Sequence, residues 1–308
     1  MATPTRHDVH VDAILSNVAV AYRNMDYIMA NLAPWVKVNK LSDKYFIFGK
    51  ESFRVENTSL RAFGKPAREV DYTLSSDSYS CNAHAFKHFI PKDIEDNADT
   101  PLNLQTAATR FLTDKLQLAI EYAGAASLFV TGTYTNKVTL AGTAQWSDAA
   151  NSNPFDDVET AIDTIQKAVG KKPNKMAMGY AVYKIIRNHP DVLDRTKYVS
   201  KESITPETLA AAFGVEQVLV GRAIYDSAVE GQTASLGYVW GKNVLLGYVE
   251  SSPSIESPTL AYTFGTQPVQ IRKWWNEDRK ATAIEAEAIY HAKVVDEKAG
   301  YLIINAVA

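Results

Sequence analysis

Two histidines have a spacing that could support metal binding. His84 and His88 lie four residues apart, and on a helix that spacing places two imidazoles on one face. The surrounding stretch SYSCNAHAFKHFIP favours a strand, however, in which residues four apart share a face but lie about 13 Å from each other. We therefore expect surface or strand-pairing histidines here and no metal site.

Carboxylates also occur in groups that could exchange protons or bind magnesium. Asp156, Asp157 and Glu159 lie at the N-terminus of an expected helix, where negative charge interacts favourably with the helix dipole without any catalytic role. Glu285 and Glu287 share one face of an expected strand, where a solvated or salt-bridging role is the more frequent one. Both groups are therefore interpreted as structural.

The single cysteine and the common motifs do not indicate an active site. Cys81 lacks a cationic context, so we expect a small buried apolar residue. The segment GKKPNK lacks the spacing and the hydroxyl of a phosphate-binding loop, and neither G-x-G-x-x-G nor G-x-S-x-G occurs. We predict no catalytic, cofactor-binding or metal site, and a protein that is not an enzyme.

Composition limits the protein classes further. The 308 residues are 46% hydrophobic and 22% charged with a formal net charge of -3, values typical of a water-soluble protein of about two domains. There is no basic excess for sequence-specific nucleic-acid binding and no apolar run near the roughly 20 residues that cross a bilayer. The start, MATPTRHDVHVDAIL, does not resemble a secretory signal, and one cysteine forms no intrachain disulfide. We expect a reducing cytoplasm and no membrane contact.

The first ninety residues predict an arm followed by a projecting hairpin. Residues 1–42 show only a weak helical spacing, between positions 12 and 29, with little flanking chain to bury it. Within 43–90, YFIF predicts a short strand, and residues 70–74 alternate apolar and polar side chains. The charged sequence between these strands is broken at glycine and proline, which is typical of a hairpin that projects from a body.

The strongest helix signal runs from about residue 101 to 125. Asp99 or Thr100 can cap this helix, and Pro101 in the first turn loses no hydrogen bond. A helix of this length suits a structural spine. Its expected buried face consists of Leu104, Ala108, Phe111, Leu112, Leu116, Ala119 and Ala123.

Residues 151–264 predict a compact α/β unit. Helices are expected over NPFDDVETAIDTIQKAV, which ends at Gly170, and over ITPETLAAAF, which ends at Gly214. A third helix, in YAVYKIIRNHP, should stop before Pro190 because proline disfavours helical geometry in the preceding residue. The segments KMAMG, QVLVGRAIYD, GYVWG and NVLLGYV predict strands.

The C-terminal segment predicts a long strand despite a composition that favours helix. In KATAIEAEAIYHAKVV the apolar residues from Ile284 to Val294 recur at every second position with one exception. WWNEDRK is expected to form the turn to a preceding strand that starts near Val269. Because adjacent strand residues point to opposite sides, we expect one of Trp274 and Trp275 in the core and the other against a neighbour.

Several stretches between about residues 95 and 305 form a set with a recognisable order and spacing. They are DTPLNLQTAATRFLTDKLQLAIEYAGAASLF, LAGTAQWSD, NPFDDVETAIDTIQKAVGKKPNKMAMGYAVYKIIRNHPDVLDRTKY, LAAAFGVEQVLVGRAIY, VWGKNVLLGYV and IRKWWNEDRKATAIEAEAIYHAKVVDEKAGYLI. Together they resemble the tailed-bacteriophage major capsid proteins with the Hong Kong 97-type fold. The resemblance implies an α+β fold with an N-terminal arm (1–42), an extended β-hairpin loop (43–90), a peripheral domain with a long spine helix (91–150 and 265–308) and an axial α/β domain (151–264).

The same resemblance implies a structural function. The chain would assemble with itself through pentamers and hexamers into an icosahedral virion shell around double-stranded DNA, inside the host bacterial cytoplasm. It implies a portal protein and a separate scaffolding protein as partners, leaves room for a decoration protein, and requires no cofactor. Contact with packaged DNA would be non-specific, since a nearly neutral protein need only avoid strong repulsion.

The subunit-interface candidates are exposed charges of the expected hairpin loop together with two residues of the C-terminal segment. Such groups provide register and specificity more than raw affinity. The candidates are Lys50, Arg54, Arg61, Arg68, Glu69, Trp274 and Arg279.

Two other functions stay open from the sequence. The first is an encapsulin-like compartment shell, because the weak helical spacing near the N-terminus leaves room for a cargo-binding helix. The second is an α/β metabolic enzyme with a site in residues 151–264, which would need convergent polar residues that the motif search does not find.

Overall fold

A computed structural model describes residues 27–55, 60–61, 63–98, 103–196, 204–252 and 258–308. Its helices are α1 (Met29–Leu32), α2 (Lys92–Asp96), α3 (Leu104–Leu128), α4 (Pro154–Val169), α5 (Tyr180–Ile186), α6 (Pro190–Thr196) and α7 (Pro206–Phe213). Its strands are β1 (Trp35–Lys37), β2 (Ser42–Phe48), β3 (Leu74–Ser80), β4 (Asn82–Pro91), β5 (Lys137–Thr139), β6 (Lys175–Gly179), β7 (Gln217–Gly221), β8 (Ile224–Asp226), β9 (Leu236–Tyr238), β10 (Val244–Gly247), β11 (Ala261–Asn276), β12 (Ala281–Val294) and β13 (Gly300–Ile304). The predicted mixture of helix and sheet is confirmed, whereas the predicted arm lies mostly outside the described residues.

A five-stranded sheet with two buried faces organises the α/β unit. Its order is β5-β13-β10-β6-β7, in which β6 is parallel to β7 and β10 is antiparallel to β6 and β13. Met176 and Met178 face a core that includes side chains of α4 and α7, while Ala177 faces a second core against α1 and the end of α3. Burial on both faces explains why these strands are apolar at successive positions.

The terminal strands divide between two sheets. β12 pairs with β4. β13 instead pairs with β10 inside the five-stranded sheet, where Leu302 and Ile303 are fully buried. An apolar strand is compatible with either sheet, so its sequence predicts burial and not its partner. The division into arm, loop, peripheral and axial domains stays a prediction.

The second sheet carries the long helix. Its order is β1-β11-β12-β4, and α3 lies across it with Leu112 and Leu116 packed on Ile284, Ala286 and Tyr290. The strand predicted from the two-residue period is confirmed as β12, because burial of one face overrides the helix propensity of Ala and Glu. β11 begins earlier than predicted and includes both adjacent tryptophans, so the turn spans only residues 277–280.

Helix α3 confirms the predicted long helix, but its N-cap and the extent of its buried face differ from the prediction. The N-cap is Asn103, whose side chain accepts a hydrogen bond from the Thr106 amide at 2.9 Å. Asp99, Thr100 and Pro101 lie outside the described residues. Phe111, predicted to be buried, is 51% exposed, because the sheet covers the helix only along the line of Ala108, Leu112 and Leu116.

The shorter helices end where the sequence predicts. Asn153 and Thr205 cap α4 and α7 through their side chains, and the left-handed residues Gly170 and Gly214 terminate them with φ of 72° and 68°. Only glycine adopts such φ values without steric cost. The helix before Pro190 ends at Ile186, as predicted, and Pro190 begins α6.

A buried carboxylate joins the N-terminal segment to both sheets. Glu121 of α3 is 2% exposed. One of its oxygens accepts hydrogen bonds from the Ile28 amide at 2.8 Å and the Trp240 indole at 2.6 Å, and the other accepts from the Met29 amide at 3.0 Å. Burial raises the pKa of Glu121, and these three donors lower it by a smaller amount. The carboxylate thus fixes α1 against α3 and against the turn between β9 and β10.

Replacing Glu121 should change how the free energy of unfolding depends on pH. Because the folded state raises the pKa of Glu121 above its unfolded value, the charged form costs stability above that pKa, and the cost disappears as the pH falls through it. The free energy of unfolding of the wild type relative to Glu121→Gln should therefore increase from pH 7 to pH 5 in urea titrations. At pH 7, Glu121→Ala should lose about 1–3 kcal/mol for each buried donor left without an acceptor. A difference between wild type and Glu121→Gln that does not change with pH would contradict this account.

Candidate subunit-interface surfaces

The base of the hairpin loop is anchored to the four-stranded sheet. β2 and β3 pair antiparallel from Ser42↔Ser80 to Phe48↔Leu74. Tyr79 stacks on Phe264 of β11 with ring centroids 4.6 Å apart, and the Lys293 ammonium of β12 lies 2.6 Å from the Asp77 carboxylate. That ammonium is the largest of the effects that lower the pKa of Asp77. Aromatic packing and an ion pair therefore hold the root of the loop.

Beyond this root the loop presents apolar side chains to solvent. Two-stranded sheets are at best marginally stable by themselves, and among the described elements the main contacts of β2 and β3 are with each other and with β12. The large apolar side chains exposed between positions 41 and 74 are Leu41, Phe46, Ile47, Phe53, Val55, Leu60, Phe63, Val70, Tyr72 and Leu74. Leu60 and Phe63 are almost completely exposed, at 96% and 105%. Exposed apolar side chains concentrated in one segment are typical of interaction surfaces.

The five loop candidates are all exposed, and one of them contacts the α/β unit. The Lys50 ammonium donates to the Ala168 carbonyl near the end of α4, and Phe53 lies against Gly170. Arg54, Arg61, Arg68 and Glu69 are exposed along the same loop. These positions are compatible with a subunit contact, which stays a prediction for each residue.

The two candidates from the C-terminal segment lie at the tip of the β11–β12 hairpin. Trp274 is 37% exposed and Trp275 is 42% exposed, so the prediction that one of them packs in the core is wrong. The Arg279 guanidinium lies 4.3 Å from the ring centroid of Phe89, a cation–π contact.

The histidines and the cysteine with possible chemical roles do not converge on one site in the described structure. His84 and His88 lie on β4, as predicted, with His84 against the ring of Tyr290 at 4.7 Å. The Cys81 thiol is buried and lies 3.4 Å from the Phe264 carbonyl, and burial raises its pKa. Within the described ranges, no three His, Cys, Asp or Glu side chains are placed to hold a metal ion.

The predicted carboxylate groups have structural partners. Asp157 accepts a hydrogen bond from the Trp146 indole at 2.8 Å, and burial raises the pKa of this carboxyl. Glu287 pairs with Arg272 at 3.2 Å across the β11–β12 hairpin. Of the part of the chain described, no helix is both long and apolar enough for a bilayer crossing.

One cluster with catalytic residue types was missed by the sequence reasoning. The Ser152 hydroxyl lies 3.1 Å from His189 Nε2, and His189 Nδ1 lies 3.6 Å from an Asp191 carboxylate oxygen. Residues 37 positions apart, without a local motif, give no sequence signal for this contact. The cluster has the composition of a Ser-His-Asp triad.

The hydrogen bonds of this cluster run opposite to those of a triad. The Ser152 hydroxyl donates to the Asp148 carbonyl at 2.7 Å, and the Asp191 amide donates to His189 Nδ1 at 3.3 Å. Nε2 therefore carries the imidazole proton and donates it to Ser152. A general base needs the reverse, an unprotonated Nε2 that accepts the serine proton. The cluster instead ties the 148–152 loop to the start of α6.

Comparison with known proteins shows similarity to phage major capsid proteins. Residues 132–234 match the family model described as Phage major capsid protein E. The chain is 30% identical to the major capsid protein of Pseudomonas phage JBD67 over 83% of this chain and 81% of that protein. It is 29% identical to the major capsid protein of Burkholderia phage BcepMu over 95% of each.

Solved structures agree with the sequence relatives. A phage-related protein from Bordetella bronchiseptica RB50 has a TM-score of 0.73 and 29% identity, covering 96% of this chain and 97% of that one. The capsid structure of cyanophage P-SCSP1u has a TM-score of 0.63 at 12% identity, covering 98% of each chain. The second likeness shows the fold alone, and it confirms the fold class expected from the resemblance.

The role of His189 can be tested through stability. We predict that His189→Ala lowers the free energy of unfolding by about 1–3 kcal/mol, because the buried Ser152 hydroxyl and the Asp191 amide both lose a partner. Lys184→Ala, on the exposed side of the preceding helix, should change it by no more than about 0.5 kcal/mol. Urea unfolding of both variants provides the measurement. Equal stability of His189→Ala and wild type would show that the network has no structural role.

Proposed function

The chain belongs to the family of phage major capsid proteins, and on this premise we propose that its copies form the pentamers and hexamers of an icosahedral shell around double-stranded DNA. As a major capsid protein it is a structural component of the virion. The observation that carries the proposal is the apolar surface between positions 41 and 74, which the described part of the chain leaves exposed. A closed symmetric shell would bury such a surface once per subunit.

We infer that the interface uses two regions of each subunit. The loop region contributes Lys50, Arg54, Arg61, Arg68 and Glu69, and the tip of the β11–β12 hairpin contributes Trp274 and Arg279. Their exposure supports this role, since rim charges set register while apolar groups supply affinity. In the proposed organisation, residues 43–90 are the extended loop, 91–150 and 265–308 the peripheral domain, and 151–264 the axial domain.

The proposal extends to partners and place of assembly. Shells would assemble in the host bacterial cytoplasm with a separate scaffolding protein and a portal protein, and their outer surface leaves room for a decoration protein. The formal net charge of -3 supports a wall that contacts packaged DNA only non-specifically. The role is structural and not catalytic, and the reversed hydrogen bonds at His189 support this.

The encapsulin-like alternative is not favoured. The sequence relatives that match most of the chain are named major capsid proteins of phages. The fold is shared with a virus-like particle from Pyrococcus furiosus at 11% identity, and a likeness of that kind does not distinguish the two types of shell.

Electron microscopy and sedimentation of the expressed full chain, alone and with its phage's scaffolding protein, test the function. We expect closed shells, or rings of five and six subunits. A compact monomer under all of these conditions would overturn the proposal.

Substitution in the exposed loop should separate assembly from folding. Leu60→Ser with Phe63→Ser should leave the free energy of unfolding of the subunit within about 0.5 kcal/mol of wild type, because neither side chain is buried in the subunit. Assembly should fall at least about tenfold, since burying each such side chain contributes about 1.5–3 kcal/mol. The fraction of protein in particles is measured by sedimentation.

The control for this pair is Val229→Ser, at an apolar residue that is 77% exposed in the loop after β8. It should assemble like wild type. Full assembly of the Leu60→Ser, Phe63→Ser variant would show that the loop surface is not an interface.

A further inference from the structure

The hairpin loop contacts its own subunit at a second place, beyond the root. The Lys50 ammonium donates a hydrogen bond to the Ala168 carbonyl, and the Phe53 ring lies against Gly170. Ala168 and Gly170 belong to the C-terminal end of α4, in the α/β unit. The loop therefore contacts the four-stranded sheet at its root and the α/β unit near its middle.

The loop side of this contact is shaped by a short turn. The 3-10 turn Glu51–Phe53 follows β2, and the Phe53 amide donates to the Lys50 carbonyl at 3.0 Å. The Glu51 carboxylate accepts a hydrogen bond from the Thr73 hydroxyl at 2.8 Å, and the Gly49 amide donates to the Thr73 carbonyl at 2.9 Å. Residues three apart lie on the same side of such a turn, which brings Lys50 and Phe53 to the same helix end.

The helix side suits both of these side chains. The Ala168 carbonyl is among the last four of α4, which have no partner inside the helix, and the C-terminal end of a helix dipole attracts cations. Gly170 has a φ of 72° and no Cβ. A Cβ there would lie 2.9 Å from the Phe53 ring, closer than such atoms approach. The glycine that ends α4 therefore also makes room for Phe53.

The same two side chains belong to the surface that the proposed shell would bury. Lys50 is one of the interface candidates, and Phe53 is one of the exposed apolar side chains between positions 41 and 74. Phe53 is still 58% exposed, so α4 covers only part of its ring. A contact this small opens readily, and a side chain engaged at α4 is not available to a neighbouring subunit. Contact with α4 and contact with a neighbour therefore compete.

We propose that the contact of Lys50 and Phe53 with the end of α4 is an autoinhibitory latch, which holds the loop on its own subunit until another subunit displaces it. The inference rests on the proposed shell function and describes how the free subunit restrains its own interface. Assembly requires the unlatched fraction of subunits, and the apparent affinity between subunits falls in proportion to that fraction. A weak latch slows association of dilute subunits, but a neighbour that buries the apolar loop surface outweighs it.

A substitution on the helix side separates the latch from the interface, because it leaves every loop residue unchanged. Gly170→Asn places a side chain where the Phe53 ring lies, and asparagine tolerates a positive φ better than most residues. We expect this variant to form particles about two- to tenfold faster than wild type, the factor that loss of one hydrogen bond of ordinary net strength gives. Light scattering at equal subunit concentration measures the rate.

The matched control is Gly214→Asn at the end of α7. Gly214 is also a left-handed cap, with a φ of 68°, but the nearest described atom to a Cβ there is the flexible Lys172 ammonium, at 3.3 Å. This variant should assemble at the wild-type rate while it bears the same backbone cost. Equal rates for the two variants would overturn the proposal. Slower assembly of Gly170→Asn would also overturn it, because the contact would then support assembly.

A cleavable cross-link tests the latch without relying on a rate. Lys50→Cys with Lys167→Cys places a thiol on each side of the contact, and the remaining Cys81 is buried. Treated as a dilute subunit with a short bis-maleimide that contains a disulfide, this variant should be linked within one chain and should not form particles. A reductant that cleaves the linker should restore assembly to the level of the untreated double variant. Unimpaired assembly of the linked subunit would contradict the latch.

Free subunits distinguish failure of the latch from failure of the shell function. Wild-type chains that form no particles would refute the shell function, whereas cross-linking of the free subunit still tests the latch. Adding Gly170→Asn to Lys50→Cys and Lys167→Cys should lower the rate of cross-linking within one chain at least about twofold, and adding Gly214→Asn should not. An unchanged rate with Gly170→Asn would overturn the latch.

Discussion

The rest of the structure depends on the fact that the segment from 41 to 74 exposes more apolar surface than its own chain covers. Leu60 and Phe63 each represent about 1.5–3 kcal/mol of burial that the single subunit leaves unused. The β2–β3 ribbon does not bury them, because its contacts with the four-stranded sheet lie at the root of the loop. Association is the physical route by which this surface leaves water. The exposed loop and the proposed assembly are therefore linked by one constraint.

The rest of the described subunit, in contrast to the loop, is closely packed. The five-stranded sheet is buried on both faces, and the long helix packs on the other sheet. Side chains in these cores fit closely. A side chain at Gly265 would meet the Trp35 ring at 2.1 Å, and one at Gly124 would meet Met29 at 2.4 Å. With Glu121, these contacts lock residues 28–37 onto the body. A closely packed body with an exposed loop suits assembly, because only the loop must lose conformational entropy when it packs against a neighbour.

The sequence predicts those elements whose signals are local. The two-residue period of β12 and the glycine caps at Gly170 and Gly214 are examples, because burial of one face and a positive φ act on each residue directly. What it fails to predict is set by distant partners. Glu121 has the appearance of a surface residue on a helix, and its donors lie more than 90 residues away. The Ser152–His189 contact and the choice of partner for β13 are also decided by tertiary packing. At the candidate interface, exposure of the loop charges was predictable, whereas the contact of Lys50 with Ala168 joins residues 118 positions apart.

Hydrogen exchange of the loop, compared between free subunits and assembled particles, tests the central claim most directly. Amides of residues 50–55 and 63–73, which lie outside the β2–β3 ladder, should exchange rapidly in the free subunit and should become protected in particles. Strong protection of these amides in a dilute monomer, unchanged on assembly, would show that the chain completes its own surface and would contradict the account.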